Sequence, residues 1–196
     1  MLFRSPLFDR LAGKPERADE RRRISLFRAA QLRTDSAPSD SVPRFQQFLK
    51  DYPQDPLAPQ AHALLGEALI RLQRPEEAGA QLEKALALRP KEGLARRIRL
   101  QQARLWARQG RRADALKTLE QIAAGPDGTD VEEALLELGV VRHQDGNAAG
   151  ALTAFEQLRR RFPQSSLADA AALNEGICLA QLGRSGEAED RKSTRL

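Results

Sequence analysis

Long apolar runs are missing from this chain. None approaches the roughly 18 residues that a membrane-spanning helix requires. The first 14 residues, Met1 to Lys14, lack the apolar core of a secretory signal. One cysteine, Cys178, rules out an intrachain disulfide framework. It falls on an apolar helical face between Ile177 and Leu179 and reads as a buried small hydrophobe. The two histidines, His62 and His143, stand far apart with no Cys, Asp or His at ligand spacing, which argues against a metal site. Gly125 to Gly128 reads as a turn, not as a phosphate-cradling loop. Ser, His and Asp occur without the arrangement of a nucleophile elbow. Alternating apolar and polar residues, the mark of a strand, are absent. These absences leave no catalytic residue, no cofactor and no metal to expect.

What remains is helical. Hydrophobic residues make up 41% of the chain, charged residues 30% and aromatics only 5%. Ala, Leu, Arg, Glu and Gln dominate, and these are strong helix formers. The net charge of +5 comes largely from arginine.

A sparse pattern recurs. A small residue is followed twelve positions on by Ala, then by a large apolar residue four further, another apolar residue three after that, and a proline. The small residue stands at Ala29, Gly66, Ala103, Gly139 and Gly176, at intervals of 37, 37, 36 and 37 residues. Taking it as position 8, units begin near Arg22, Pro59, Arg96, Glu132 and Asp169. Position 20 is Ser41, Ala78, Ala115, Ala151 and Ala188. Position 24 is Phe45, Leu82, Leu119 and Phe155, and position 27 is Phe48, Ala85, Ile122 and Leu158. Prolines close four units, at Pro53, Pro90, Pro126 and Pro163.

Each choice has a cause. Gly or Ala at positions 8 and 20 lets two antiparallel helices approach closely. Positions 20, 24 and 27 share one helical face and form a buried stripe. Proline lacks an amide donor and restricts its predecessor, which helps to end the second helix. Turn signals separate the two helices at Arg74-Pro75, Gln109-Gly110, Asp145-Gly146-Asn147 and Gly183 to Gly186. The third unit departs, with Arg99 and Gln102 at core positions and Trp106 filling position 11; the fourth has Arg142 at that position. The first has a Ser/Pro-rich connector from Ser36 to Pro43.

A period of this length with helical spacing marks a repeat array. The pattern resembles the tetratricopeptide repeat (TPR) family from about Arg22 to Glu189, in units two or three residues longer than usual. The resemblance implies an all-α fold, a right-handed α-α superhelix of about five helix-turn-helix units with the last one truncated. Residues 1–21 form an N-terminal segment, disordered or non-native in part; 22–190 hold the array; 191–196 form a non-native tail. Met1 to Pro6 and Asp190 to Leu196 resemble translated sequencing-adapter remnants. Lys192 and Arg195 stand where the last helix pattern calls for apolar residues. The compartment follows the termini: cytoplasmic if they are native, periplasmic or envelope if a leader was lost. The segments Phe45 to Pro56 and Phe155 to Pro163 are also similar to repeats of bacterial cell-envelope TPR proteins, of the Tol-associated coordinator and outer-membrane assembly lipoprotein type.

By the same resemblance, first helices line a groove through positions 2, 5, 9, 12 and 13. The expected partner-binding residues are Arg97, Leu100, Arg104, Arg108, Leu136, Val140, His143, Leu173 and Ile177. The leucines would anchor an amphipathic helix or extended peptide, and the arginines would pair with its acids. The alternative for each leucine is packing between adjacent units. The family's clamp for chaperone tails needs Lys and Asn at positions 5 and 9, and no unit has them. The arginines of Gly93 to Gly110, with Trp106 among them, also fit a single-stranded nucleic-acid surface. Trp106 sits at a core position, however, so the run reads as a solvated face or an acidic-peptide contact. Arg159 to Arg161 end a helix, where cations suit the dipole.

The expected function is a non-catalytic protein-interaction scaffold or adaptor. The alternatives are a helical-repeat nucleic-acid binder and the regulatory TPR portion of a larger envelope or secretion protein. Exposed end units offer a route to self-association.

Overall fold

The computed structural model describes residues 15–184 and Gly186. Among them every regular element is a helix: α1 (Pro15–Gln31), α2 (Pro38–Asp51), α3 (Ala58–Arg71), α4 (Pro75–Ala87), α5 (Glu92–Arg108), α6 (Arg112–Ala123), α7 (Thr129–Gln144), α8 (Ala148–Arg161) and α9 (Ala168–Gln181). The expected second helix of the last unit, with Ala188, lies outside the described residues, as do both suspected terminal remnants. The chain divides into two compact units, 1–91 and 92–196.

In the first unit α1 to α4 pack in chain order, each on the next. Phe27 of α1 meets Phe45 and Phe48 of α2 edge-on, at centroid distances of 6.0 and 5.5 Å. Leu65 and Leu69 of α3 and Ala78, Leu82 and Ala85 of α4 are all buried. In the second unit α5 to α9 also pack in order, and first helices touch one another: α5 reaches α7, and α7 reaches α9. Their shared core includes Leu119, Ile122, Leu135, Leu138, Phe155, Leu158 and Leu179.

The close-approach positions behave as their residue types demand. A Cβ added to Gly66 would sit 3.1 Å from Leu82 Cδ2. One added to Gly139 would overlap the Phe155 ring. Position 8 of one helix thus receives position 24 of the next. Every described residue at positions 20, 24 and 27 is buried.

First helices from α3 onward end alike. Gln73, Gly110, Gly146 and Gly183 adopt left-handed backbone, with φ of 59°, 78°, 79° and 70°. The residue after each donates its amide to a carbonyl five back, as in Arg74 N to Leu69 O at 2.9 Å and Arg184 N to Leu179 O at 2.8 Å. This is a Schellman-type stop, and it turns the chain sharply into the second helix.

Several details differ from the expectation. The first helix begins at Pro15, ahead of Arg22. In α1 the fully buried small residue is Ala30, while Ala29 is only half-buried, because the packed face runs Phe27, Ala30 and Thr34 at helical spacing. The connector from Ser36 to Pro43 is largely helix: Pro38 opens α2, and Pro43 lies inside it in the second turn, at the loss of one intrahelical amide bond. Trp106 is half-buried and not a core residue, and the Arg111 guanidinium lies 4.8 Å over its ring. Gln102 is buried beside it in sequence terms, four positions earlier on the same face.

Candidate protein-docking face

Seven arginines of the second unit pair with acids of the same chain, and for Arg96, Arg104 and Arg161 the acid stands about one repeat away. Arg96 of α5 lies 2.7 Å from Asp130 of α7. Arg104 bridges Glu133 at 3.0 Å and Glu137 at 2.8 Å. Arg99 pairs with Glu92. Arg142 donates to Glu120 at 2.7 Å and to the Gly150 carbonyl at 3.1 Å. The first unit repeats the device with Arg23–Asp55 and with Arg71–Asp35.

The run from Arg159 to Arg161 does more than suit a dipole. Arg159 pairs at 2.6 Å with Glu175, a buried carboxylate of α9 that the sequence pattern did not single out. Arg161 reaches back to the end of α6 and donates to Ala123 O at 2.6 Å and Gly125 O at 3.1 Å, while also pairing with Asp127. Cys178 is buried, and that burial, with Glu175 nearby, raises its thiol pKa.

The expected groove residues fall into four groups. Leu100 is 3% exposed and belongs to the core formed by α5 to α9. The cause is its place on α5, which packs against both α6 and α7. Arg104 is already engaged by two glutamates. Leu136 and Val140 of α7 are half-buried against the core. His143, in the last turn of α7, is half-buried with its Nε2 enclosed and unpartnered. Four residues are available: Arg97 and Arg108 on α5, exposed and paired with no acid among the described residues, and Leu173 and Ile177 on α9, 69% and 43% exposed.

The face of α5, α7 and α9 therefore grades from cationic at α5, through a half-buried apolar strip with paired carboxylates at α7, to uncharged and apolar at α9. Among the described residues, no three His, Cys, Asp or Glu side chains converge on a possible metal position. No described helix is long and apolar enough to cross a membrane.

Paired antiparallel helices with a small residue at each close crossing, repeated at a constant period, define a helical-repeat protein. A tetratricopeptide repeat model matches residues 32–93, 100–166 and 136–191, and the chain belongs to that family. No curated protein matches the sequence. Among solved structures, PilF of Pseudomonas aeruginosa is similar at 19% identity, with a TM-score of 0.72 over 87% of this chain and 73% of that one. MamA (41-end) from Desulfovibrio magneticus RS-1 is 17% identical, with a TM-score of 0.70 over 88% and 92% of the two chains. BtubC from P. vanneervenii is 19% identical, with a TM-score of 0.67 over 85% and 76%. At such identities the likeness speaks for the all-α helical-repeat fold alone. Family membership supports a protein-interaction scaffold in general.

Proposed function

We propose that the chain is a non-catalytic scaffold that docks a protein segment across α5, α7 and α9. The carrying observation is the charge pattern of that face. Arg97 and Arg108 are exposed without an acid among the described residues, while Arg104 beside them is shared between Glu133 and Glu137. Leu136 and Val140 offer half-covered apolar surface next to these groups. A segment carrying carboxylates at one edge and apolar residues at the other fits this order. The chemistry favours a peptide over nucleic acid, because most arginines of α5 already hold carboxylates of the same chain.

The test is a peptide-display selection on the folded chain, followed by fluorescence anisotropy of a selected peptide. Arg97→Glu with Arg108→Glu is expected to weaken binding about tenfold, less at high salt. Val140→Glu is expected to weaken it as well, with helicity unchanged by circular dichroism. Affinities within about twofold of the parent for both variants reject this face as the site.

A further inference from the structure

Two loops of the first unit, the one between α2 and α3 and the one that follows α4, enclose an open cavity of about 300 Å³, a size that holds one small ligand group. Pro53, Pro56, Pro59 and Pro90 line it, together with Leu88. Proline rings carry no amide donor, so these walls are apolar. Leu88 is 37% exposed, although α4 just before it is packed on α3. The charged residues at the cavity are of two kinds. Asp55 is taken: Arg23 pairs with it, and the Leu57 amide donates to it at 2.7 Å. Arg89 and Lys91 are exposed and pair with no acid among the described residues. Glu92, the next acid along the chain, is held by Arg99 at 3.1 Å. Arg89 is also held against its preferences, with a φ of 50°. A side chain disfavours left-handed backbone, and a following proline favours extended backbone. Tyr52 and Phe162, which precede Pro53 and Pro163 after α2 and α8, keep φ of −134° and −130°. The strain thus falls in the loop that brings two unpaired cations to an apolar cavity, and strain of this kind collects at binding sites.

We propose that this cavity takes the carboxyl-terminal residue of a partner protein, with an aromatic side chain against the prolines and the carboxylate between Arg89 and Lys91. An aromatic ring gives a small apolar cavity large contact area for little lost rotamer freedom. A chain end carries ring and carboxylate on one residue, which suits a cavity with room for one. The guanidinium binds a carboxylate through two parallel hydrogen bonds, and the lysine adds a point charge. Two cations repel a terminal amine, and the cavity is too small for a helix. Every residue that lines the site belongs to the first unit, so the inference does not rest on docking across α5, α7 and α9.

NMR amide shifts of the isotope-labelled chain test it, with a peptide of four glycines and a terminal phenylalanine as the probe. Saturable shifts are expected at Leu88, Arg89 and Lys91, with a Kd of about 1 mM or tighter. The same peptide with an amidated end, and one that ends in alanine, are each expected to bind about fivefold more weakly. Arg89→Gly keeps the left-handed turn and relieves its strain, so the fold survives. Together with Lys91→Ala it is expected to weaken binding about tenfold. Arg97→Glu with Arg108→Glu, which tests the docking face, is expected to bind the probe like the parent. The inference is overturned if the probe leaves these amides unmoved, if the amidated or the alanine-ended peptide binds within about twofold of it, or if the Arg89 and Lys91 variant binds like the parent. It is also overturned if the Arg97 and Arg108 variant loses binding.

Discussion

Gly139 and Gly66 occupy one register position, yet a methyl group would meet different neighbours at each. At Gly139 it would overlap the Phe155 ring, which is fully buried and has no room to turn. Gly139→Ala is expected to destabilise the fold by about 1–3 kcal/mol, overpacking outweighing the gain in helix propensity. At Gly66 the nearest atom is the end of Leu82, 3.1 Å away. A small shift there is offset by propensity, so Gly66→Ala is expected to be near neutral. Urea denaturation of the two variants decides the contrast. Gln73 is the non-glycine residue among the left-handed stops of the first helices. Gln73→Gly is expected to stabilise by about 0.5–1 kcal/mol, read by the same method. His62 supplies a pH signal. Burial lowers its pKa, partly countered by its hydrogen bond with Gln81 at 2.7 Å, and Lys84 lowers it further. A depressed histidine binds more protons unfolded than folded. Stability is therefore complete above the ordinary value of about 6.5 and falls as pH drops from there through the folded value. His62→Gln should flatten that slope in denaturation midpoints measured between neutral and mildly acidic pH.

At the scale of the helix, the register was legible because its signals reinforce one another: a small residue, a small residue twelve later, then apolar residues on one face. Where two small residues adjoin, as at Ala29 and Ala30, composition alone does not say which faces inward, and the packed triad with Phe27 and Thr34 decides. Of the docking face, Leu173, Ile177, Arg97 and Arg108 could be read from periodicity as outward-facing. Leu100 could not be told from them, because its burial depends on α7 lying over α5. Nor could the pairing of Arg104 or Arg161, whose acids stand about a repeat away and meet them only once the helices are stacked. Arg161 is the clearest case, since it ties the end of α8 to the last carbonyls of α6. Arg161→Ala is expected to cost about 1–2 kcal/mol. Hydrogen exchange should show the loss first as faster exchange around Ala123 to Gly128.

For the molecule as a whole, ion pairing leaves the net charge of +5 unchanged but engages many of the arginines that a partner would contact. Arg96, Arg99, Arg104, Arg142, Arg159 and Arg161 each have a carboxylate within ion-pair distance. Anisotropy with a single-stranded oligonucleotide at physiological salt is expected to give a Kd no tighter than about 10⁻⁶ M, the range of non-specific binding. Tighter binding with a steep salt slope would restore the nucleic-acid reading.

The recurrent left-handed stops have a genetic consequence. Gly110 and Gly146 are 36 residues apart and occupy equivalent turns. A tandem duplication cut at those two points would carry a full second-helix-to-first-helix block, with the small residues Ala115 and Gly139 and a new turn already of the right hand. Such a copy needs no compensating change at its junctions, because both ends join backbone of the same conformation. The stop thus makes the unit transferable, and lengthening the array becomes a matter of recombination at matching turns instead of the invention of new packing.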